Sequence, residues 1–280
     1  MAESAQYVLF DNVSRSNISL ILKEFDKDLK NISGKCMDVG CGRGDKTKDI
    51  LLPSLDTNAT MIGTDIMEEM VEYANKTYGD KDRLKFEVLD IETKNLPEKY
   101  VSEFDHIFSF HTLQWCNDIR QAFRNMYRML RPGKTMLILS LAHQATIFES
   151  LEAMTEDTRF AAYMGDKKKY IGSFHYSIRP RDELKEILED IGFQVHHCSH
   201  RSKSAFMNTQ KYISRIILQH TFSFLDKMPH NLREEFINEL ARKFEEIKIK
   251  EYKNRQNDDK LLEDIPLYYT VLVAYAQKRL

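Results

Sequence analysis

Three aspartates and one glycine-rich segment have the residue types and spacing to hold an adenosine derivative. The segment Met37-Asp38-Val39-Gly40-Cys41-Gly42-Arg43-Gly44-Asp45 follows a short apolar run and precedes a helix-like stretch. Glycines there permit a tight turn and remove side chains that would keep a ligand away from the backbone. Asp65 closes a second apolar run, MIGTD, and puts a carboxylate where it can accept from both hydroxyls of a ribose. Asp90 closes a third, FEVLD, and is followed by Ile91. A carboxylate there can accept from an adenine amine, with an apolar neighbour against the ring. Glycine backbone, ribose acceptor and adenine acceptor thus follow one another at successive strand ends.

Two ligand classes compete for such a pattern. A nicotinamide dinucleotide would normally be met by G-x-G-x-x-G, with its pyrophosphate at the N-terminus of the next helix. This chain has G-x-G-x-G followed at once by Asp45. A carboxylate there disfavours a diphosphate and suits the sulfonium and amino group of S-adenosylmethionine (SAM), which is the cofactor expected.

These residues need strands and helices to bring them together. Apolar runs at 35–39, 60–63, 85–89, 106–110 and 135–141 alternate with helix-like stretches at 45–52, 67–78 and 118–130. That alternation predicts an α/β fold with a parallel sheet and helices on both faces. An amphipathic segment at 18–30 precedes it. Further on, 181–191 reads as a helix stopped by Gly192, and 193–197 and 267–276 read as strands. Between the late strands lie mainly helical patterns, at 212–220 and 231–249. The charged run 250–260 reads as a solvated loop. The expected organisation is a cofactor-binding core with an N-terminal helical segment at 1–143 and a cap insertion at 144–180. A core helix and strand at 181–200, a helical cap insertion at 201–265 and a last core strand at 266–280 complete it.

Bulk composition narrows the partners. Of 280 residues, 42% are apolar and 30% charged, as in an ordinary globular protein. Lys plus Arg is 41 against 43 for Asp plus Glu, a net charge of −2 that offers nothing to nucleic acid or an anionic membrane. The longest strongly apolar stretch, 136–142, is too short to span a bilayer, and no leader peptide is visible. Cys36, Cys41, Cys116 and Cys198 form no C-x-x-C pair and read as reduced thiols of a cytoplasmic protein. His196, His197, Cys198 and His200 lie close in sequence, but alternate residues of a strand face opposite ways, so no metal site is expected.

The set DVGCGRGD, GTDI, VLDIE, FSFHTLQW and LRPGKTMLIL resembles class I SAM-dependent methyltransferases. More narrowly, MVEYANKTYG, FDHIFSFHTLQW, AFRNMYRMLRPG, YIGSFHYS and VLVAYAQK make nearly the whole chain similar to insect juvenile hormone acid methyltransferases. The resemblance implies a Rossmann-like seven-stranded sheet with a helical cap. It also implies SAM as donor and a sesquiterpenoid carboxylic acid as acceptor. Carried onto matching positions, the cofactor shell is Asp38, Gly40, Asp65, Ile66, Asp90, Ile91 and Ser109, beside the turn residues Cys41 and Gly42. Trp115 would donate its indole N–H to the acceptor carboxylate. In one place the sequence departs from the family pattern N-x-x-Q-x-R-D: Ser14 stands where the family has a Gln that also holds that carboxylate. Gln114 replaces a usual His.

A carboxylate acceptor is already ionised and needs orientation in a dry pocket rather than a base. A phenol or amine acceptor would use a base, for which His111 and His143 are the candidates. A SAM-binding protein without turnover is the remaining reading, with the Ser14 change as its support. Aromatic and Met residues, among them Phe148, Phe160, Tyr170, Tyr212 and Phe224, either enclose a lipophilic acceptor or simply pack the cap helices. The partner expected is therefore a small lipophilic acid, with a homodimer left open.

Overall fold

The structure, a computed structural model, describes the backbone of residues 2–80, 82–218, 220–256 and 265–280, and side chains from Val13 onward except that of residue 220. The strands are β1 (Gly34–Val39), β2 (Ala59–Asp65), β3 (Leu84–Val88), β4 (Phe104–Phe110), β5 (Leu130–His143), β6 (Phe193–Ala205) and β7 (Leu267–Lys278). They form one mixed seven-stranded sheet in the order β3-β2-β1-β4-β5-β7-β6. The pairings β3–β2, β2–β1, β1–β4 and β4–β5 are parallel.

The strands expected from apolar runs all form. β1 and β4 are buried over most of their length because each is flanked by strands and covered by helices. β6 is one of the two edge strands, and beyond the buried Phe193 its residues are half-exposed or exposed. It continues to Ala205, so 201–205, expected in the second helical insertion, is strand instead.

Strand order reverses between β1 and β4, and in such sheets the crevice at the carboxyl ends beside the reversal is where ligands bind. The helices between the strands are α3 (Glu68–Tyr78) and α4 (Ile119–Met129), with α1 (Ala2–Glu24) and α2 (Asp26–Leu29) before β1. Asp118 caps α4, accepting the Gln121 N–H at 3.0 Å. The stretch after the glycine turn is helical as expected, though α-helical only at residues 45–46 before it widens. It is a π turn at Thr47–Leu51 running into a 3-10 turn with Pro53, and such wide turns recur beside functional sites.

By contacts, residues 14–140, 178–201 and 272–280 form one compact unit, and residues 1–13, 141–177 and 202–271 a second. The first contains β1 to β4, α3, α4 and α7 (Pro180–Ile191); Gly192 stops α7 with φ +117°, as its position predicted. The second contains α5 (Ala145–Glu156), α6 (Ala161–Met164), α8 (Thr209–Ile216) and α9 (His230–Arg255), with α5 packed along α9. Phe148, Met154, Phe160, Met164, Tyr170, Phe174, Tyr212, Phe222 and Phe224 are buried in this second unit. Edge-to-face pairs such as Phe160–Phe236 and Tyr170–Phe224 knit them together. They are its core, whereas Phe206 is 69% exposed.

α9 extends through Arg255, so the first half of the charged run 250–260 is helical rather than loop. Residues 257–260 of that run lie outside the described residues. Among the described residues no helix is long and apolar enough to cross a membrane.

Candidate active site

The glycine turn lies at the end of β1. Gly40 and Cys41 both donate their N–H to the Thr64 carbonyl, at 2.7 and 2.9 Å, which bends the chain across the end of β2. Gly40, Gly42 and Gly44 all have positive φ, at +75°, +55° and +79°. At Gly40 a side chain is excluded outright, since a Cβ would lie 2.1 Å from Thr112. At Gly42 a Cβ would meet nothing within 4 Å, so that face of the turn is open to a ligand.

Asp65 does more than end β2. One oxygen accepts the Gly42 N–H at 2.9 Å and the other the Met67 N–H at 3.0 Å. The carboxylate expected to hold ribose hydroxyls also fixes the turn and the entrance to α3. Asp90 is exposed beyond the end of β3, with one oxygen capping the Glu92 N–H at 2.8 Å. Ile91 beside it is buried, and Asn125 of α4 donates to its carbonyl at 2.7 Å. Ile66 is 41% exposed.

Asp38 is 5% exposed and accepts the Thr47 hydroxyl at 2.6 Å. Burial pushes its carboxyl up to about 6 against the opposing pull of that hydrogen bond, with Asp65 and Asp45 adding to the rise. Burial likewise pushes the Cys41 thiol well above its ordinary range, and the nearby Asp38 adds to this, so the thiol stays protonated. Asp45 is not an unopposed charge awaiting a cation. It is ion-paired with Arg15 of α1 at 2.6 Å and approached by Lys46 at 3.8 Å. Asp38 and Asp65 add their carboxylates beside this paired one. Arg43, within the turn, stacks over Tyr73 of α3 at 4.0 Å.

The segment after β4 closes the opposite side. Ser109 is fully buried and its hydroxyl donates to the Val39 carbonyl at 3.0 Å, tying β4 to β1. His111 has φ +57°, a conformation rare outside glycine and concentrated at functional sites. Its carbonyl accepts the Gln114 side-chain N–H at 2.7 Å, while Ser140 of β5 donates to the Gln114 oxygen. Gln114 is thus a buried brace for this segment. Thr112 donates to the Gly40 carbonyl at 3.1 Å, joining it to the glycine turn. Trp115 follows in a short 3-10 turn and is half-buried. Ser14, on α1, is buried. His143, at the end of β5, stacks on His175 at 4.6 Å and donates its Nδ1–H to the His175 carbonyl, which leaves Nε2 as an acceptor.

Thr47, Thr112, Asn125 and Arg15 carry no signal in sequence, because each acts on a partner 9 to 72 positions away. None of the four cysteines is in a disulfide, and among the described residues no His, Cys, Asp and Glu group has the arrangement of a metal site.

An open glycine backbone with two adjoining carboxylates suits a cationic adenosine derivative. The sheet order and this turn define a class I SAM-dependent methyltransferase. Residues 37–138 match the methyltransferase domain family. The fold recurs in the YcgJ protein of Bacillus subtilis, with a TM-score of 0.56 at 14% identity over 94% of this chain and 98% of that one. It recurs in a Haemonchus contortus phosphoethanolamine N-methyltransferase 2 structure holding phosphomonomethylethanolamine and S-adenosylhomocysteine. There the TM-score is 0.52 at 18% identity, over 94% of this chain and 53% of that one.

In sequence the chain is 30% identical to the juvenile hormone acid O-methyltransferase of Drosophila melanogaster, over 99% of this chain and 93% of that protein. It is 30% identical to the Bombyx mori enzyme of the same name, over 89% of this chain and 87% of that protein. The chain belongs to the methyltransferase family that contains these two insect enzymes, and its cofactor is SAM.

Proposed function

We propose that the protein methylates the carboxylate of a small lipophilic acid, juvenile hormone acid or a farnesoic acid-like compound, and does so in the cytoplasm. One observation carries this reading. Similarity to the two insect acid O-methyltransferases extends far beyond the 37–138 domain, to 99% of the chain for one of them. Many methyltransferases share a cofactor-binding part; likeness outside it bears on the acceptor.

Bound SAM supplies an electrophilic methyl group; the protein supplies position. The backbone at Gly40 and Gly42, the carboxylates of Asp38 and Asp65, and Asp90 with Ile66 and Ile91 hold the cofactor. Trp115 offers an uncharged N–H donor to one carboxylate oxygen of the acceptor, and the Ser14 hydroxyl a second. The acceptor's hydrocarbon part needs an apolar enclosure that leaves its carboxylate poorly hydrated. No base is required, because the acid is ionised at neutral pH.

A hydroxyl or amine acceptor is the second reading; it would call on a base, for which His111 and His143 are the candidates. Labelled SAM offered with juvenile hormone acid, farnesoic, fatty and aromatic acids, and with phenols and amines as contrast, separates the two. Methyl ester formation on the terpenoid acids is the result expected. Product only from phenols or amines would overturn the carboxylate reading.

A further inference from the structure

The turn that receives the cofactor cannot brace itself. Gly40, Gly42 and Gly44 contribute no side chains, and Asp38, Asp45 and Asp65 crowd it with like charge, each of the last two raising the proton affinity of Asp38. Besides its bonds to Thr64, Asp65 and Thr112, the turn is braced from α1. Arg15 Nη2 lies 2.6 Å from Asp45 Oδ2 and 3.3 Å from Asp49 Oδ2, spanning the first residues after the glycines and the π turn that follows. The side chains of Arg15 and Asp45 keep 28% and 16% of their exposure, so solvent weakens this pair without abolishing it. The bridge also has a fixed abutment. Ile18, Ile21 and Leu22, just beyond Arg15, are 1% to 4% exposed and bury that half of α1 in the core.

We infer that Arg15 is a positioning residue for the cofactor. By gripping Asp45 and Asp49 from an anchored helix, it holds the glycine turn in its receiving shape and so sets cofactor affinity without touching the reacting atoms. The inference concerns cofactor binding alone and stands whatever the methyl acceptor is.

Calorimetry with S-adenosylhomocysteine tests it, because that ligand lacks the sulfonium charge and reports turn geometry more than net charge. Arg15→Met should bind roughly tenfold more weakly than the natural protein, and Arg15→Lys should recover part of the loss. The exchange Arg15→Asp with Asp45→Arg should recover most of what either change alone costs. High salt should weaken the natural protein towards the Arg15→Met value while barely moving the variant. Circular dichroism shows whether each variant is folded. Affinity in Arg15→Met equal to or tighter than that of the natural protein would overturn the inference. So would failure of both Arg15→Lys and the charge exchange to recover binding in folded protein.

Discussion

The Thr47 hydroxyl donates to Asp38 Oδ2 at 2.6 Å, and both side chains are sealed from solvent. This bond holds a carboxylate at the end of β1 that would otherwise be driven to take up a proton. Burial still raises its range to about 6 from an ordinary 3.8. Between those two values the folded protein binds the proton more tightly than the unfolded chain. Stability from this group is therefore present at low pH, falls as pH rises through that window, and is flat above it. Asp38→Asn keeps an acceptor for Thr47 but never ionises. Thermal melts without ligand should show the variant more stable than the natural protein above about pH 6, and should no longer show the decline between about pH 4 and 6. Its affinity for SAM, measured at pH 7.5, should fall about tenfold, since a counter-charge to the cation is gone. A melting profile that declines as in the natural protein would place the titration elsewhere.

Asp65 links the turn to the expected ribose site, and two substitutions separate these roles. Asp65→Ala removes the acceptors of both the Gly42 and Met67 N–H groups along with any ribose contact. Loss of SAM affinity should be about 100-fold, from two or three hydrogen bonds at about 1 kcal/mol each. Asp65→Asn retains one oxygen and should lose less. Calorimetry on both variants checks this, and similar losses in the two would mean that charge rather than turn geometry dominates.

Glycines 40 and 42 are predicted to differ. A Cβ on Gly40 would sit 2.1 Å from Thr112, whose own Cβ would be 2.5 Å away, so Gly40→Ala should disrupt the turn and abolish cofactor binding. Adding Thr112→Gly should restore part of it, leaving roughly 1–2 kcal/mol of left-handed strain and the loss of the Thr112 hydrogen bond to the Gly40 carbonyl. Gly42→Ala has no steric conflict within the protein and should stay folded at a similar strain cost. A loss of SAM affinity in folded Gly42→Ala beyond about tenfold would indicate that the ligand lies against this face, and unchanged affinity would remove Gly42 from the cofactor shell.

The sequence made the sheet legible because its central strands are buried on both sides and so read as unbroken apolar runs. It made the carboxylates legible because they stand at the ends of those runs. β6 was cut short at 197 because an edge strand needs few apolar residues; HRSKS at 200–204 is built for solvent. The helix α9 was cut short for a related reason, since only Tyr252 is buried in its last turns. The Arg15 partner of Asp45 is invisible in sequence because only folding brings α1 to it. Thr112 has the same explanation. Its meaning lies in the missing side chain of Gly40, 72 positions away.

Trp115 is where the proposed chemistry is most exposed to refutation. It stands in the short turn after β4, in a segment braced by Gln114 and Ser140 and joined to the cofactor turn through Thr112. This bracing gives the indole a defined place. Trp115→Phe keeps the apolar bulk and removes only the donor, so S-adenosylhomocysteine affinity and melting temperature should stay close to those of the natural protein. Turnover of a carboxylic acid should fall about 10- to 100-fold, the cost of one donor to a poorly hydrated carboxylate. Trp115→His, which can offer an N–H of its own, should recover part of it. If Trp115→Phe instead lowered cofactor affinity or melting temperature with turnover falling only in proportion, Trp115 would be a packing residue. The acceptor's carboxylate would then have to be held by other groups.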